Sequence, residues 1–396
     1  MRPKELQPID NCMPGSAQEK TGPGWPRFSA VSPRPVTTTA WGCYNAAMPT
    51  SDPSNVLFLT DAFRRSAVMF AAVDLGVFDQ LAGESGSGLR LDGAGGAMNV
   101  AELARRINAN NDALERLLDA CVGLGLLNRT DNGFANTPES AAYLVHGSPQ
   151  ALTGYIDYSK RALWWLWGNL TSAVREGTPR WKQAFGHSGG IFDSFYATEE
   201  AKREFLLGMH GYGLLSSPAT AAAVDLSGFA HLVDLGGGTG HFAITACRMY
   251  PNLRATVFDL PAALPMANEQ IEAAGMSGRI STQAGNFFTD SLPPADLYSL
   301  GRIVHDWSEE KIRTLLRKTY DALPAHGAVL ILEKMLTPDR NGPMRALLQS
   351  LNMLVATEGK ERTLDEYRAL LHDAGFTNIQ GATADTLLDA ILALKS

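Results

Sequence analysis

The sequence predicts an α/β protein: a mostly parallel sheet with helices on both faces and a C-terminal antiparallel hairpin, preceded by a mostly helical winged-helix-like domain. From residue 231 onward short apolar runs (His231–Leu235, Ala255–Phe258, Asp296–Leu300, Ala328–Leu332) alternate with helical stretches, the pattern of a doubly wound sheet. At the end, Thr377–Gln380 and Leu388–Leu394 are two strand candidates close together, which places an antiparallel hairpin at the sheet edge. Upstream, two helical patterns are followed by two short strand candidates around Asp131-Asn132-Gly133, a helix–helix–wing order.

A chain of 396 residues exceeds one ordinary core and suits two domains plus an extra segment. Its hydrophobic content of 45% and charged content of 19% fit a globular protein. Lys and Arg total 34 against 41 Asp and Glu, a net charge of -7, so nothing in the composition attracts nucleic acid. Cys12, Cys43, Cys121 and Cys247 are scattered, with neither a zinc spacing nor a disulfide framework. Free thiols in a reducing compartment are expected. No apolar run approaches the roughly 20 residues that cross a bilayer, and the N-terminus lacks the apolar core of a secretory signal. The expected location is the cytoplasm, with no membrane partner.

Residues 1–52 are rich in Pro, Gly, Ser and Thr without sustained periodicity and read as a disordered extension. Met48 opens M-P-T-S-D-P-S directly before the first helical pattern, so a true translation start at Met48 is one reading. Native peptides from residues 1–47 in mass spectrometry would dispose of it. The segment 53–150 begins with Phe63, Ala67, Phe70, Ala71 and Val73 near helical spacing, then Val77–Leu81 after Gly76. Val100–Ile107 follows Asn99, a good N-cap, and Asp112–Leu124 repeats the helical period through Leu114, Leu117, Leu118 and Cys121. The two sides of the wing are Leu126–Arg129 and Phe134–Asn136. From 151 to 222 the chain is helical again and dense in aromatics, including Tyr155, Tyr158, Trp164, Trp165, Trp167, Phe205 and Tyr212. These fit an apolar pocket, although any single one is more often a helix-packing residue. Phe205 and Met209, four apart on one helical face, are the candidates for pocket walls. Residues 223–396 hold the predicted sheet.

His231–Gly240 is a strand running into a glycine-rich turn, and Gly236, Gly238 and Gly240 let the backbone bend sharply and approach a ligand. Asp259 ends the next strand, where a carboxylate can accept both hydroxyls of a ribose, as in Rossmann-like folds. A lone G-x-G-x-G is weak evidence; strand, glycines and second-strand acid together are stronger. Two details favour S-adenosylmethionine over a dinucleotide. The spacing leaves less room for a pyrophosphate than G-x-G-x-x-G does. Asp234 also puts a negative charge before the glycines, where it can hold an ammonium group directly or through water. A tight turn without a ligand and a dinucleotide site stay open as lesser readings. After the following strand, Gly285-Asn286-Phe287-Phe288 offers a polar side chain and an aromatic suited to adenine, or is an ordinary loop.

His305, in R-I-V-H-D-W, lies near the carboxyl end of a central strand, where such sheets place ligands. A lone His beside a Trp is more often structural. Glu333 ends the next strand and Glu361 precedes the next helix, both on the same side of the sheet. Methyl transfer from a sulfonium leaves the protein to align a nucleophile and remove its proton. A phenol has a pKa of about 10, so a base active near neutral pH helps. Imidazole suits if a carboxylate fixes its tautomer. His305 is therefore the expected base, with Glu333 and Glu361 as orienting acids; each Glu alone could equally be a surface ion pair. No metal is needed and the sequence offers no ligand cluster for one.

These runs (D-L-G-G-G-T-G, V-F-D-L-P, G-N-F-F, R-I-V-H-D-W-S, L-E-K, G-K-E-R-T) resemble the plant-type small-molecule O-methyltransferases. Similarity is closer still to the animal acetylserotonin O-methyltransferase group and its methyltransferase-like relatives, in residues 350–363 and 389–395. It covers roughly 55 to 395, including F-A-A-V-D-L-G-V-F-D and A-V-R-E-G. The resemblance implies a class I methyltransferase sheet and a winged-helix domain used for homodimerisation rather than DNA binding. It implies S-adenosylmethionine as methyl donor and a small aromatic hydroxyl compound as acceptor. Asp259 would take the ribose, Gly285, Asn286 and Phe287 the adenine, Arg302 would lie along the cofactor, and Tyr196 would close over it. Asp306 and Asn352 would face the acceptor. Three positions depart from the family: Asn286 stands for the usual Asp, Gly213 for an expected Trp, and Ala356 for the Gln of the acetylserotonin enzymes. The last departure counts against acetylserotonin as acceptor and leaves the chemistry intact.

Two other readings remain at this point. A catalytically impaired binding or regulatory protein would retain the winged helix, but Asp112–Leu124 carries two Asp and one Glu against one Arg, unlike a DNA-reading helix. A nicotinamide oxidoreductase would be separated by cofactor thermal shifts, and an N- or C-methyl acceptor by product fragmentation.

Overall fold

The computed structural model describes residues 52–83, 96–186, 198–384 and 386–396. The predicted N-terminal extension to residue 51 and the assignment at Tyr196 lie outside these residues. Leu57–Ser396 forms one compact unit.

The N-terminal helices sit where the capping residues put them. Asn99 and Asn110 accept the backbone N–H of Glu102 and Ala113, starting helices Val100–Ile107 and Asn111–Gly123. Strands β1 (Leu127–Thr130) and β2 (Gly133–Asn136) follow as the antiparallel wing. Thr137 caps the next helix, with Pro138 at its first position. A core of its own holds this part, with Phe78, Leu81, Leu103, Leu118 and Phe134 fully buried.

Residues 153–176 are helical apart from a turn at Gly168-Asn169, which separates Trp164–Trp167 from Leu170–Glu176. A single π turn, Ser159–Leu163, separates Thr153–Tyr158 from Trp164–Trp167. The periodicity gave no sign of it, because five residues dense in neighbouring aromatics are too few to reveal a shift of face. The long helix Glu199–Ala222 packs along Thr153–Tyr158 and leads to the sheet.

The sheet holds β3 (His231–Leu235), β4 (Arg254–Asp259), β5 (Ile280–Ala284), β6 (Leu297–Gly301), β7 (Ala328–Glu333), β8 (Thr377–Ala382) and β9 (Asp389–Leu394). Their order is β5-β4-β3-β6-β7-β9-β8, parallel through β7, with β9 antiparallel to both β7 and β8. The winding reverses between β3 and β6, so their carboxyl ends open a crevice. Every residue of β7 is buried, as a strand covered on both faces must be. Thr363 and Glu366 form a reciprocal capping box that starts Leu364–Asp373 and fixes the chain just after Glu361.

Candidate active site

The floor of the crevice is the turn after β3. Gly236, Gly238 and Gly240 all have positive φ (68°, 55° and 76°), a conformation that glycine adopts without a Cβ clash. Gly238 N–H donates to one Asp259 oxygen at 2.7 Å and Leu260 N–H to the other at 2.6 Å. Burial raises the Asp259 pKa while these two bonds oppose it. Asp259 thus stands fixed on the cavity wall beside Gly236 and Gly238.

Asp234 is buried against β6. It is absent from the cavity wall. Its carboxyl accepts Ser299 Oγ–H at 2.5 Å and lies under the turn, 2.7 Å from where a Cβ on Gly237 would stand. Burial raises its pKa to about 6, against the Ser299 bond. From there the group braces the turn.

Gly285, Asn286 and Phe287 form one side of the cavity. Asn286 Oδ1 accepts Phe288 N–H at 2.9 Å, which leaves the NH₂ as the free end of that side chain. Lys318 Nζ donates to three carbonyls of this loop, those of Phe287 (2.9 Å), Phe288 (3.1 Å) and Asp290 (2.6 Å). Phe288 in turn packs edge-on against Phe287 and Trp307.

Arg302, Ile303, His305 and Asp306 line the cavity from the chain that follows β6. Arg302 has φ 59°, and its guanidinium lies 4.6 Å from the centre of the Tyr212 ring. His305 is 3% exposed and its Nδ1 lies 2.6 Å from Glu361 Oε1. Its backbone N–H donates to Glu333 Oε1 at 2.9 Å, and the Tyr367 hydroxyl donates to the other Glu333 oxygen. The two acids therefore act differently from each other: Glu361 holds the ring, and Glu333 holds the backbone. Neither lies on the cavity wall. Asp306 Oδ1 is 3.7 Å from His305 Nε2. Burial pulls the imidazole pKa down, but Glu361, Glu333 and Asp306 outweigh it and raise it to about 9. Burial raises Glu333 to about 7, against the attraction of His305.

One expectation about metals is overturned on geometry. His305, Glu333 and Glu361 bring three ligand atoms within 4.8 Å of one another, a cluster the sequence did not suggest. Nδ1 and Glu361 Oε1 are committed to each other and both Glu333 oxygens to donors, while Glu361 Oε2 has no partner among the described residues. An ion there would have to displace the imidazole–carboxylate pair.

Phe205 and Met209 also line the cavity, together with Tyr155, Tyr158, Asn352 and Met353; the cavity volume is 220 Å³. Asn352 Oδ1 accepts Trp167 Nε1–H at 2.9 Å. Ala356 is not on the wall. It is buried behind Tyr158 and Phe205, and its carbonyl accepts Trp181 Nε1–H at 2.7 Å. Sequence reasoning missed Lys318, Thr239 and His241; the last two follow the glycines directly and also line the cavity.

A crevice at the reversal point of this sheet, floored by a glycine turn and walled by a carboxylate-held imidazole, defines the class: a class I methyltransferase that uses S-adenosylmethionine. The comparisons give the family. Residues 167–377 match the O-methyltransferase domain and residues 57–146 the O-methyltransferase dimerisation domain, and the chain belongs to the O-methyltransferase family. It is similar to acetylserotonin O-methyltransferase of Gallus gallus, 40% identical over 348 residues that cover 87% of this chain and 97% of that one. It is also similar to 3-hydroxy-5-methyl-1-naphthoate 3-O-methyltransferase of Streptomyces sahachiroi, 37% identical over 83% of this chain and 90% of the relative. The structure of human N-acetylserotonin methyltransferase in complex with SAM superposes with a TM-score of 0.80 at 36% identity, covering 88% of this chain and 100% of that one. No helix among the described residues is long and apolar enough to cross a membrane.

Proposed function

We propose that this enzyme methylates a hydroxyl of a small aromatic molecule, phenolic or indolic, with His305 as general base and without a metal. The observation that carries the proposal is the His305–Glu361 pair. With Nδ1 held at 2.6 Å by a buried carboxylate, the other ring nitrogen is the one left for an acceptor proton.

The residues present fit the methyl donor. Asp259 offers a buried, backbone-held carboxylate to the ribose, and Gly236 and Gly238 keep the floor free of side chains. Gly285, Asn286 and Phe287 take the adenine and Arg302 lies along the remainder. When bound, S-adenosylmethionine supplies an activated methyl group on a good leaving group. The protein's work is then alignment and proton removal. His305 Nε2 takes the proton of the acceptor hydroxyl, and Glu361 stabilises the imidazolium through Nδ1–H. Glu333 and Tyr367 fix the backbone that carries the ring. Asp306 and Asn352 face the acceptor, and Phe205 and Met209 exclude water.

The apolar, aromatic wall supports an aromatic acceptor. At residue 356 a methyl group packs behind that wall, so we propose an acceptor other than acetylserotonin. The segment 53–150 is proposed to join two copies into a homodimer, 151–222 to shape the acceptor side, and 223–396 to hold the donor.

The test is an acceptor screen over phenolic and indolic compounds with labelled S-adenosylmethionine, run with His305→Ala alongside. Turnover falling by roughly two to four powers of ten, with donor affinity intact, is expected. Unchanged turnover would remove His305 from the mechanism.

A further inference from the structure

Beyond the glycine turn stands a side chain that no reading above uses. His241 opens the helix His241–Met249 and lines the same cavity. Its ring occupies space that only a glycine on the neighbouring helix leaves open. A Cβ on Gly213 would lie 2.4 Å from the imidazole Cγ and Cδ2. An imidazole at 241 and any side chain at 213 exclude each other.

The ring is also held in one orientation. Ser217, one turn further along the same helix as Gly213, places Oγ 2.9 Å from His241 Nδ1. The Ser216 hydroxyl turns instead to the carbonyls of Tyr212 and Gly213. Ser217 is 1% exposed, and His241 Nδ1 is the partner recorded for its hydroxyl among the described residues. With Ser217 donating, Nδ1 is the acceptor and the ring proton resides on Nε2. Burial, then His210 and Arg302, lowers the imidazole pKa to about 3, so the ring is a neutral donor at any working pH. Arg302 stacks at 4.6 Å on the ring of Tyr212, whose chain neighbour Gly213 is the residue that faces His241. Arg302 lines the cavity too and makes no ion pair among the described residues.

A guanidinium and a neutral N–H donor thus line the same cavity as Asp259 and Asn286, both reached through the Tyr212–Gly213 stretch of one helix. The methyl donor has a single anionic group, the carboxylate of its amino-acid end. We propose that His241, admitted by Gly213 and oriented by Ser217, binds that carboxylate together with Arg302. This rests on the donor seat described under the proposed function. Nothing covalent changes; the step is one hydrogen bond from Nε2–H to a carboxylate oxygen.

Calorimetry with two probes tests it: S-adenosylhomocysteine, which carries the carboxylate, and 5′-methylthioadenosine, which lacks it. His241→Ala should weaken the first by about ten- to a hundredfold, as loss of a hydrogen bond to a charged group does, and leave the second unchanged. Gly213→Ala should cause a similar selective loss by pushing the ring aside. The double variant should be no worse than His241→Ala, because the methyl group then fills vacated space. Ser217→Ala, which keeps the ring but frees its orientation, should give a smaller selective loss, and it serves if His241→Ala melts early. Equal weakening of both probes, no weakening of either, or additive losses in the double variant would overturn the proposal. If the unaltered protein bound neither probe, the donor seat itself would be wrong, a failure separate from that of His241.

Discussion

Glu361→Gln isolates the charge beside the proposed base. The substitution keeps size and one acceptor oxygen but removes the carboxylate 2.6 Å from Nδ1. Both partners are almost fully buried, at 3% and 1% exposure, so solvent screens little of the interaction. In the unaltered protein His305 sits at about 9, against an ordinary value of 6.5. That displacement corresponds to about 3 kcal/mol. The sign follows from the raised value. The pair's contribution to stability is complete below the unfolded value of 6.5 and is lost as pH rises through about 9. Because the pair favours the imidazolium at neutral pH, activity should climb with pH toward 9. Without the charge of Glu361 the imidazole pKa falls, and the alkaline loss of stability moves to lower pH with it. Turnover should drop by about ten- to a hundredfold because the imidazolium loses its charge-assisted partner. The assay is an NMR titration of the His305 ring, assigned with His305→Ala and needing no acceptor, supported by melting curves from pH 6 to pH 10. An inflection in Glu361→Gln that coincides with that of the unaltered protein would refute the electrostatic account.

Three further perturbations address the donor side and the fold. Asp259→Ala removes the acceptor of two backbone N–H groups and of the proposed ribose contact, so S-adenosylhomocysteine affinity should fall by about tenfold or more in calorimetry; normal affinity would deny it the ribose. Lys318→Met breaks three bonds to the loop that carries Asn286 and Phe287, so affinity for S-adenosylhomocysteine should weaken while Lys318→Arg recovers part of it; equal affinity in all three proteins would make the clamp irrelevant. Ile331→Ala, at the fully buried centre of β7, should cost about 2–5 kcal/mol in denaturant titrations, and a loss under 1 kcal/mol would mean that the site collapses around the gap.

The sheet was legible because its strands are short and apolar and its breaks are glycine or acid. The hairpin was legible from the spacing of Thr377–Gln380 and Leu388–Leu394, and the structure places β9 between β7 and β8. The start at Val100 followed from Asn99, since capping is local chemistry. The site was legible only to the level of which strand ends meet. That Glu361 would reach the ring and Glu333 the backbone depends on where two separate connections cross, and no sequence interval encodes it. For Asp234 the sequence showed its place before the glycines but not that the bend of the turn lays Gly237 over it. His241 escaped notice for a related reason. The vacancy that receives its ring is made by Gly213 on another helix, and a missing side chain leaves no pattern.

The core around Ala356 has a consequence for anyone who wishes to alter which molecule is methylated. Tyr158, Trp181 and Phe205 share that core with Ala263, Met266, Val355 and Ala356, which lie beyond residue 222. A chimera exchanging only residues 151–222 with a relative would inherit a seam cut through packed side chains. Grafts should carry 263–266 and 352–356 across as well, so that both faces of the joint come from one parent.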